Sequence, residues 1–242
     1  MDSRRGNIVS LGVLVSGRGT NLQAILDGCE DGSIPARVEV VISNRPGVPA
    51  LDRAYAKGVP AFVVEPGEYG KWPGCKPAYE RKLVEILKAH GVELVVLAGY
   101  DRLVGETFLE AFPMKVINVH PSLLPAFPGL NAQKQALDYG VKVAGASVFF
   151  VDLTVDGGPI ITQGACPVYE DDTAETLSQR ILEIEHRILP EAITLIAQGR
   201  VRVEGRRVKI LPAPQAGQGK VEPPGPASLA GTCGGTGCQN NT

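Results

Sequence analysis

Between residues 8 and 120 the chain alternates short apolar runs, rich in β-branched residues, with segments of helical periodicity. Ile8 to Val15 precedes Asn21 to Cys29, Val38 to Ser43 precedes Ala50 to Lys57, and Ala61 to Val64 precedes Ala78 to His90. Leu94 to Ala98, Glu106 to Phe112 and Val116 to His120 continue the alternation. Strands without polar residues at every second position must be covered on both faces, and the intervening helices supply that cover. The expected fold class is α/β: a Rossmann-like, doubly wound, mostly parallel sheet. After His120 the pattern changes to a helix over Asn131 to Tyr139, strands over Ala146 to Val151 and Ile160 to Gln163, and one long helix. Asp172-Thr173-Ala174-Glu175 reads as a capping box at its start, and Pro190 is expected to kink or break it.

Twenty-four basic and 26 acidic residues give a net charge of −2, without the positive excess of a nucleic-acid binder. Apolar residues make up 44% and aromatic ones 5%, so the core is aliphatic. No run of about 18 apolar residues occurs, which argues against a membrane span. Ile8 to Val15 lacks a small-residue cleavage site before Ser16 and reads as a first strand, with a cytoplasmic location expected. Cys29, Cys75, Cys166, Cys233 and Cys238 are an odd, scattered set that suits reduced thiols, and no metal site is expected from them or from the dispersed histidines. Residues 212–242 hold five Pro and seven Gly with few large apolar groups, too little burial to offset ordering, and are expected to form a disordered tail. The folded body is then residues 1–211.

Directly after the first strand stands Ser16-Gly17-Arg18-Gly19-Thr20-Asn21, opening a helix. Two glycines let the backbone turn tightly, Thr20 or Asn21 is placed to cap the helix, and the free N–H groups of its first turn attract an anion. Leu22 occupies the place of the third glycine in a dinucleotide fingerprint, and no Gly-Lys-Ser/Thr follows, so a nucleoside monophosphate suits the loop better than NAD or ATP. An ordinary capped turn remains an equal alternative on this segment alone.

In Val116-Ile117-Asn118-Val119-His120-Pro121, Asn118 and His120 share one strand face, and Pro121 ends the ladder. Asp156 stands in the tight Val155-Asp156-Gly157-Gly158-Pro159 connection between two strands. An acid beside an imidazole orients the ring and favours its cationic form. Each residue alone also reads as a satisfied strand end or turn former. With no Ser or Cys in a nucleophile elbow, direct transfer assisted by the imidazole is the expected chemistry.

These segments, with Leu97-Ala98-Gly99-Tyr100-Asp101-Arg102-Leu103, Phe127-Pro128-Gly129-Leu130 and the continuation Ser122-Leu123-Leu124-Pro125, resemble the phosphoribosylglycinamide formyltransferases, members of the folate-dependent formyltransferase family, over about Ile8 to Leu211. The resemblance implies the formyltransferase fold, with a nucleotide-binding half over about 1–112 and a catalytic, folate-binding half over about 113–211. It implies formyl transfer from 10-formyltetrahydrofolate to the amine of glycinamide ribonucleotide, the third step of purine synthesis, by a monomer or homodimer acting on small molecules. His120, Asn118 and Asp156 match the catalytic positions. Gly19, Thr20, Asn21, Leu182, Glu183, Ile184 and Glu185 match the ribonucleotide site. Lys76, Asp101, Arg102, Leu103, Val104, Asn118, Asp152, Leu153, Thr154, Val155 and Asp156 match the folate site. Three positions depart from the family pattern: Asp101 replaces a usual Met, Phe149 a common His, and Arg18 a small or polar residue. Formyltetrahydrofolate hydrolase, with water as acceptor, and a non-catalytic nucleotide-binding module are the alternative readings. The first would normally carry a domain ahead of the first strand.

Overall fold

The computed structural model describes residues 8–213. All of the expected tail except Pro212 and Ala213, and with it Cys233 and Cys238, lies outside the described residues. The sheet has the order β3-β2-β1-β4-β5-β6-β7, built from β1 (Val9–Val15), β2 (Ala36–Ser43), β3 (Ala61–Val63), β4 (Leu94–Leu97), β5 (Val116–His120), β6 (Val143–Phe150) and β7 (Ile160–Pro167). β1 to β5 run parallel. β6 runs against β5, and β7 against β6. This is the mostly parallel, doubly wound α/β sheet expected from the alternation. Strand order turns back between β1 and β4, which opens a crevice at their carboxyl ends.

The helices among the described residues are α1 (Thr20–Glu30), α2 (Pro49–Ala56), α3 (Lys76–Ala89), α4 (Glu106–Ala111), α5 (Ala132–Tyr139) and α6 (Ala174–Ala197), with a 3₁₀ turn at Pro66–Tyr69. Two aliphatic clusters hold them to opposite sheet faces. Leu11, Val13, Val96, Ile117 and Val119 pack with Leu22 and Ile25 of α1 and with Ile181, Ile188 and Ile193 of α6. Leu14, Val40, Val95, Leu97 and Val116 pack with Leu83 and Leu87 of α3 and Phe108 of α4. A side chain on Gly12 would put its Cβ 2.3 Å from Leu87 Cδ2, so this glycine sets how closely α3 approaches.

Two local expectations are corrected and one element is added. Pro190 does not break α6, which continues to Ala197: the missing N–H removes one helical hydrogen bond, but Ile188, Leu189, Ala192 and Ile193 are buried on either side and outweigh that loss. The capping box joins Thr173 to Thr176, without Glu175. Asp172 pairs with Arg180 at 2.7 and 2.8 Å, and this fork holds its carboxyl below the usual range. Finally, β8 (Val201–Glu204) and β9 (Arg207–Ile210) form a hairpin beyond the expected elements. Its signal was the alternation of Val201 and Val203, then Val208 and Ile210, around Gly205 with φ 60°.

Candidate active site

The Ser16–Asn21 segment leaves β1 at the crevice and enters α1. Gly19 is the N-cap with φ 71°, and no side chain caps the helix. The expectation that Thr20 or Asn21 serves as the cap is therefore corrected: both lie inside the helix, and the Asn21 amide is turned to Glu185. Those N–H groups stay available to an anion. A Cβ on Gly19 would come 2.6 Å from Ala50 Cβ and 2.7 Å from Ala50 Cα, so α2 closes against the loop where only glycine fits. The Ala50 N–H donates to the Gly17 carbonyl at 3.2 Å. Arg53 Nε donates to the Arg18 carbonyl at 2.9 Å. Nothing in the sequence pattern pointed to Arg53 as a clamp on this loop.

Asn21 donates through Nδ2 to Glu185 Oε2 at 2.7 Å, joining α1 to α6 across 164 residues of chain. Both are buried, 7% exposed each. Burial pushes the Glu185 carboxyl above its usual range, and the Asn21 hydrogen bond opposes the shift. Asn21 Oδ1 is buried without a partner among the described residues. Of the neighbouring positions, Ile184 packs into the core, Leu182 is half-buried and Glu183 faces outward.

On β5, Ile117 and Val119 belong to the first cluster and Val116 to the second. Alternation places Asn118 and His120 on the second face, as expected. The His120 ring is buried. Its Nε2 donates to the Phe127 carbonyl at 2.9 Å, and Nδ1 lies 3.4 Å from Asp156 Oδ2. Both ring nitrogens face acceptors, an arrangement that the imidazolium satisfies at both ends. Asp156 has φ 49°, and its Oδ2 also accepts the Gly129 N–H at 2.7 Å. The two glycines after it are required by space: a Cβ would lie 2.0 Å from Thr154 Oγ1 at Gly157 and 1.7 Å from the Phe150 carbonyl oxygen at Gly158. The loop is thus shaped to carry Asp156 back to the imidazole. Among the described residues no protein group bonds the Asn118 side chain, and Phe149, where the family often has His, is buried opposite it on β6.

The remaining expected positions form two walls. After β4, Leu103 is 60% exposed and Val104 is buried. Arg102 lies over the Trp72 ring, 5.1 Å from its centroid. Lys76 reaches over Gly105, where a Cβ would sit 3.0 Å from Nζ, and lies 3.9 Å from Glu80. This brings Lys76 together with the Asp101–Val104 segment. After β6, Asp152 accepts the Thr154 N–H at 2.8 Å, while Leu153 and Val155 are 62% and 50% exposed. Asp101 binds inward to Ser16, Asn44 and Arg45.

A sequence profile of the formyl transferase family matches residues 9–193. Phosphoribosylglycinamide formyltransferase of Bacillus subtilis is 44% identical over 181 residues, covering 75% of this chain and 91% of that protein. The Escherichia coli protein of the same name is 36% identical over 191 residues, 79% of this chain and 88% of that one. The crystal structure of glycinamide ribonucleotide transformylase 1 from Symbiobacterium toebii superimposes with a TM-score of 0.83 at 57% identity, covering 86% of this chain and 96% of that one. The chain belongs to the formyl transferase family and, within it, to the phosphoribosylglycinamide formyltransferases.

Proposed function

We propose that this site moves the formyl group of 10-formyltetrahydrofolate to the glycyl amine of glycinamide ribonucleotide, with Asn118, His120 and Asp156 at the reacting centre. The observation that carries the reading is the His120–Asp156 pair on the strand face that also bears Asn118. That strand lies two places across the sheet from the loop at the end of β1. The ribonucleotide phosphate is assigned to the N–H groups of Gly19, Thr20 and Asn21. Its sugar is assigned to Glu185, with Leu182, Glu183 and Ile184 flanking. The folate is assigned to Lys76, Asp101 to Val104 and Asp152 to Asp156. Exposed Leu103, Leu153 and Val155 suit the flat faces of the folate's aromatic rings, and Lys76 suits the carboxylates of its glutamate tail. Free thiols at Cys29, Cys75 and Cys166 suit a cytoplasmic enzyme.

When the amine nitrogen bonds to the formyl carbon, negative charge develops on the formyl oxygen, and donors aimed there lower the barrier. The Asn118 amide is one such donor, since no protein group among the described residues occupies it. His120 is the second: its Nε2–H exchanges the Phe127 carbonyl for the substrate, a realignment common when a ligand-free site closes on its reactants. The amine loses one proton, taken up by Asp156 through a water molecule. The folate nitrogen gains one, delivered by His120, as its bond to the formyl carbon breaks. Asp156, fixed by the Gly129 N–H, orients the imidazole and balances its charge until the proton is delivered, and the proton that the carboxylate gains matches the one that His120 gives up.

The test is to follow formyl loss from 10-formyltetrahydrofolate with and without glycinamide ribonucleotide. Loss that requires the ribonucleotide, with formylglycinamide ribonucleotide as product, is expected. Loss independent of the amine would make the protein a hydrolase, and absence of any loss would leave a nucleotide-binding module.

A further inference from the structure

The carboxyl ends of β2, β1 and β4 lie side by side, and one carboxylate joins all three. Ser16 Oγ donates to Asp101 Oδ1 at 3.0 Å, and Asn44 Nδ2 donates to the same oxygen at 2.7 Å. Arg45 Nη2 pairs with Oδ2. The Asp101 N–H returns a hydrogen bond to Ser16 Oγ at 3.0 Å, so the ends of β1 and β4 are locked reciprocally. Ser16 and Asn44 are 7% and 4% exposed. Asp101 itself stands at the exposed rim, so the two donors are buried while the shared carboxylate is partly open to water, and the bonds gain chiefly from the charge of the acceptor.

The position gives this cluster its meaning. β1 and β4 flank the switch point of the sheet, the crevice where open α/β sheets take their ligands. Ser16 leads directly into Gly17-Arg18-Gly19, and Asp101 begins the segment Arg102 to Val104. A shift of Asp101 therefore moves both halves of the candidate site, one through a side chain and one through the backbone. We propose that Asp101 is a positioning residue that couples the two substrate half-sites, setting the phosphate loop through Ser16 and the folate wall through its own main chain. The assignment of those halves rests on the formyl-transfer reading.

The experiment measures glycinamide ribonucleotide affinity by calorimetry without folate, together with steady-state KM and kcat. The variants are Asp101→Met, Asp101→Asn, Ser16→Ala and the double variant of Asp101→Met with Ser16→Ala. A methionine accepts none of the charge-assisted bonds. Asp101→Met is expected to weaken ribonucleotide binding about tenfold and to raise the folate KM by a similar factor, the scale of losing one or two such bonds, with kcat held within about threefold. Asp101→Asn keeps an acceptor for Ser16 and Asn44 and recovers most of the loss. Ser16→Ala reproduces the ribonucleotide effect, and adding it to Asp101→Met changes little, because the two act as a unit.

An unchanged ribonucleotide affinity beside a raised folate KM would make Asp101 an ordinary folate contact and overturn the coupling. A fall in kcat and melting temperature with both affinities intact would overturn it as well. If Asp101→Met does not fold, Ser16→Ala decides: it must raise the folate KM from the ribonucleotide side, and an unchanged value sinks the idea. The calorimetric arm, repeated with a bound folate, reads both half-sites even if the wild-type protein transfers no formyl group, so the two failures are distinguishable.

Discussion

The Ser16–Asn21 loop, proposed to take the phosphate, is closed by protein contacts, whereas the segments proposed to take the folate leave their apolar side chains exposed. Gly19, the Ala50 N–H and Arg53 hold the loop through backbone groups, and the Asn21–Glu185 bond behind it is buried. On the other side Leu103, Leu153 and Val155 stand exposed, and the Asn118 amide has no protein partner among the described residues. A small, highly charged phosphate is bound best by rigid, preoriented dipoles, because any reorganisation would subtract from binding. A large ring system is bound by area, and exposed apolar side chains supply that area only once covered. The contrast predicts that substitutions at the loop act on binding and fold stability, and that substitutions between the two regions act on rate.

The sharpest separation is expected at the centre. His120→Ala or Asp156→Asn should lower kcat about 10²- to 10⁴-fold, the usual worth of a placed proton-transfer group. Ribonucleotide affinity, read by calorimetry, should stay within about threefold of wild type, since neither side chain touches the phosphate loop. A parallel loss of ribonucleotide binding would erase the division of labour between the regions.

The next effect is on the loop itself. Gly19→Ala forces a side chain into a left-handed backbone position and against Ala50, and should cost about 1–3 kcal/mol of stability by thermal or denaturant unfolding, with ribonucleotide binding weakened about tenfold or more. Gly17→Ala is the control: nothing lies within 4 Å of its Cβ, so stability should barely change. Equal behaviour of the two glycines would mean that the rigid loop is not what makes this half preformed.

Short apolar strands between helices made the sheet legible, since burial on both faces leaves a continuous apolar run that sequence displays directly. The β5 strand was read to the residue because Asn118 and His120 interrupt an aliphatic run at alternate positions, and Pro121 marks its end. Asp156 was legible for a different reason: glycines that exclude any Cβ betray a tight connection. The Asp101 hub was not legible. Its partners Ser16, Asn44 and Arg45 sit 56 to 85 residues away, and no local pattern encodes a bond that exists only because β2, β1 and β4 become neighbours. The Phe127 carbonyl on His120 was hidden for the same reason, main-chain groups being identical at every residue. Pro190 misled because propensity speaks for an isolated helix, and α6 is held by packing.

Glu185 tests whether the preformed half is built at the expense of stability. Its carboxyl is raised by burial, so the folded protein holds this proton more tightly than the unfolded chain does. Stability from this group is therefore greatest at low pH and falls as pH rises from the ordinary carboxylate range through the raised native value. Glu185→Gln keeps an oxygen acceptor for Asn21 without the buried charge. Chemical denaturation across pH 4 to 8 should show the variant more stable than wild type at the upper end and flatter in pH, while ribonucleotide binding weakens several-fold. A variant less stable at pH 8 would show that the ionised carboxylate is already compensated in the empty site.

The smallest effect should come from the exposed wall. Leu153 is 62% exposed without ligand, so Leu153→Ser removes little folded-state packing and melting should move by no more than about a degree. If the pterin covers this side chain, the variant loses apolar area only in the complex, and the folate KM should rise about two- to tenfold with the ribonucleotide KM unchanged. Leu130 offers a matched surface residue outside the two walls, 80% exposed, and Leu130→Ser should leave both KM values in place. Equal shifts in the two leucine variants would remove Leu153 from the wall, and a shift in ribonucleotide KM would mean that the two regions are not separable at their rims.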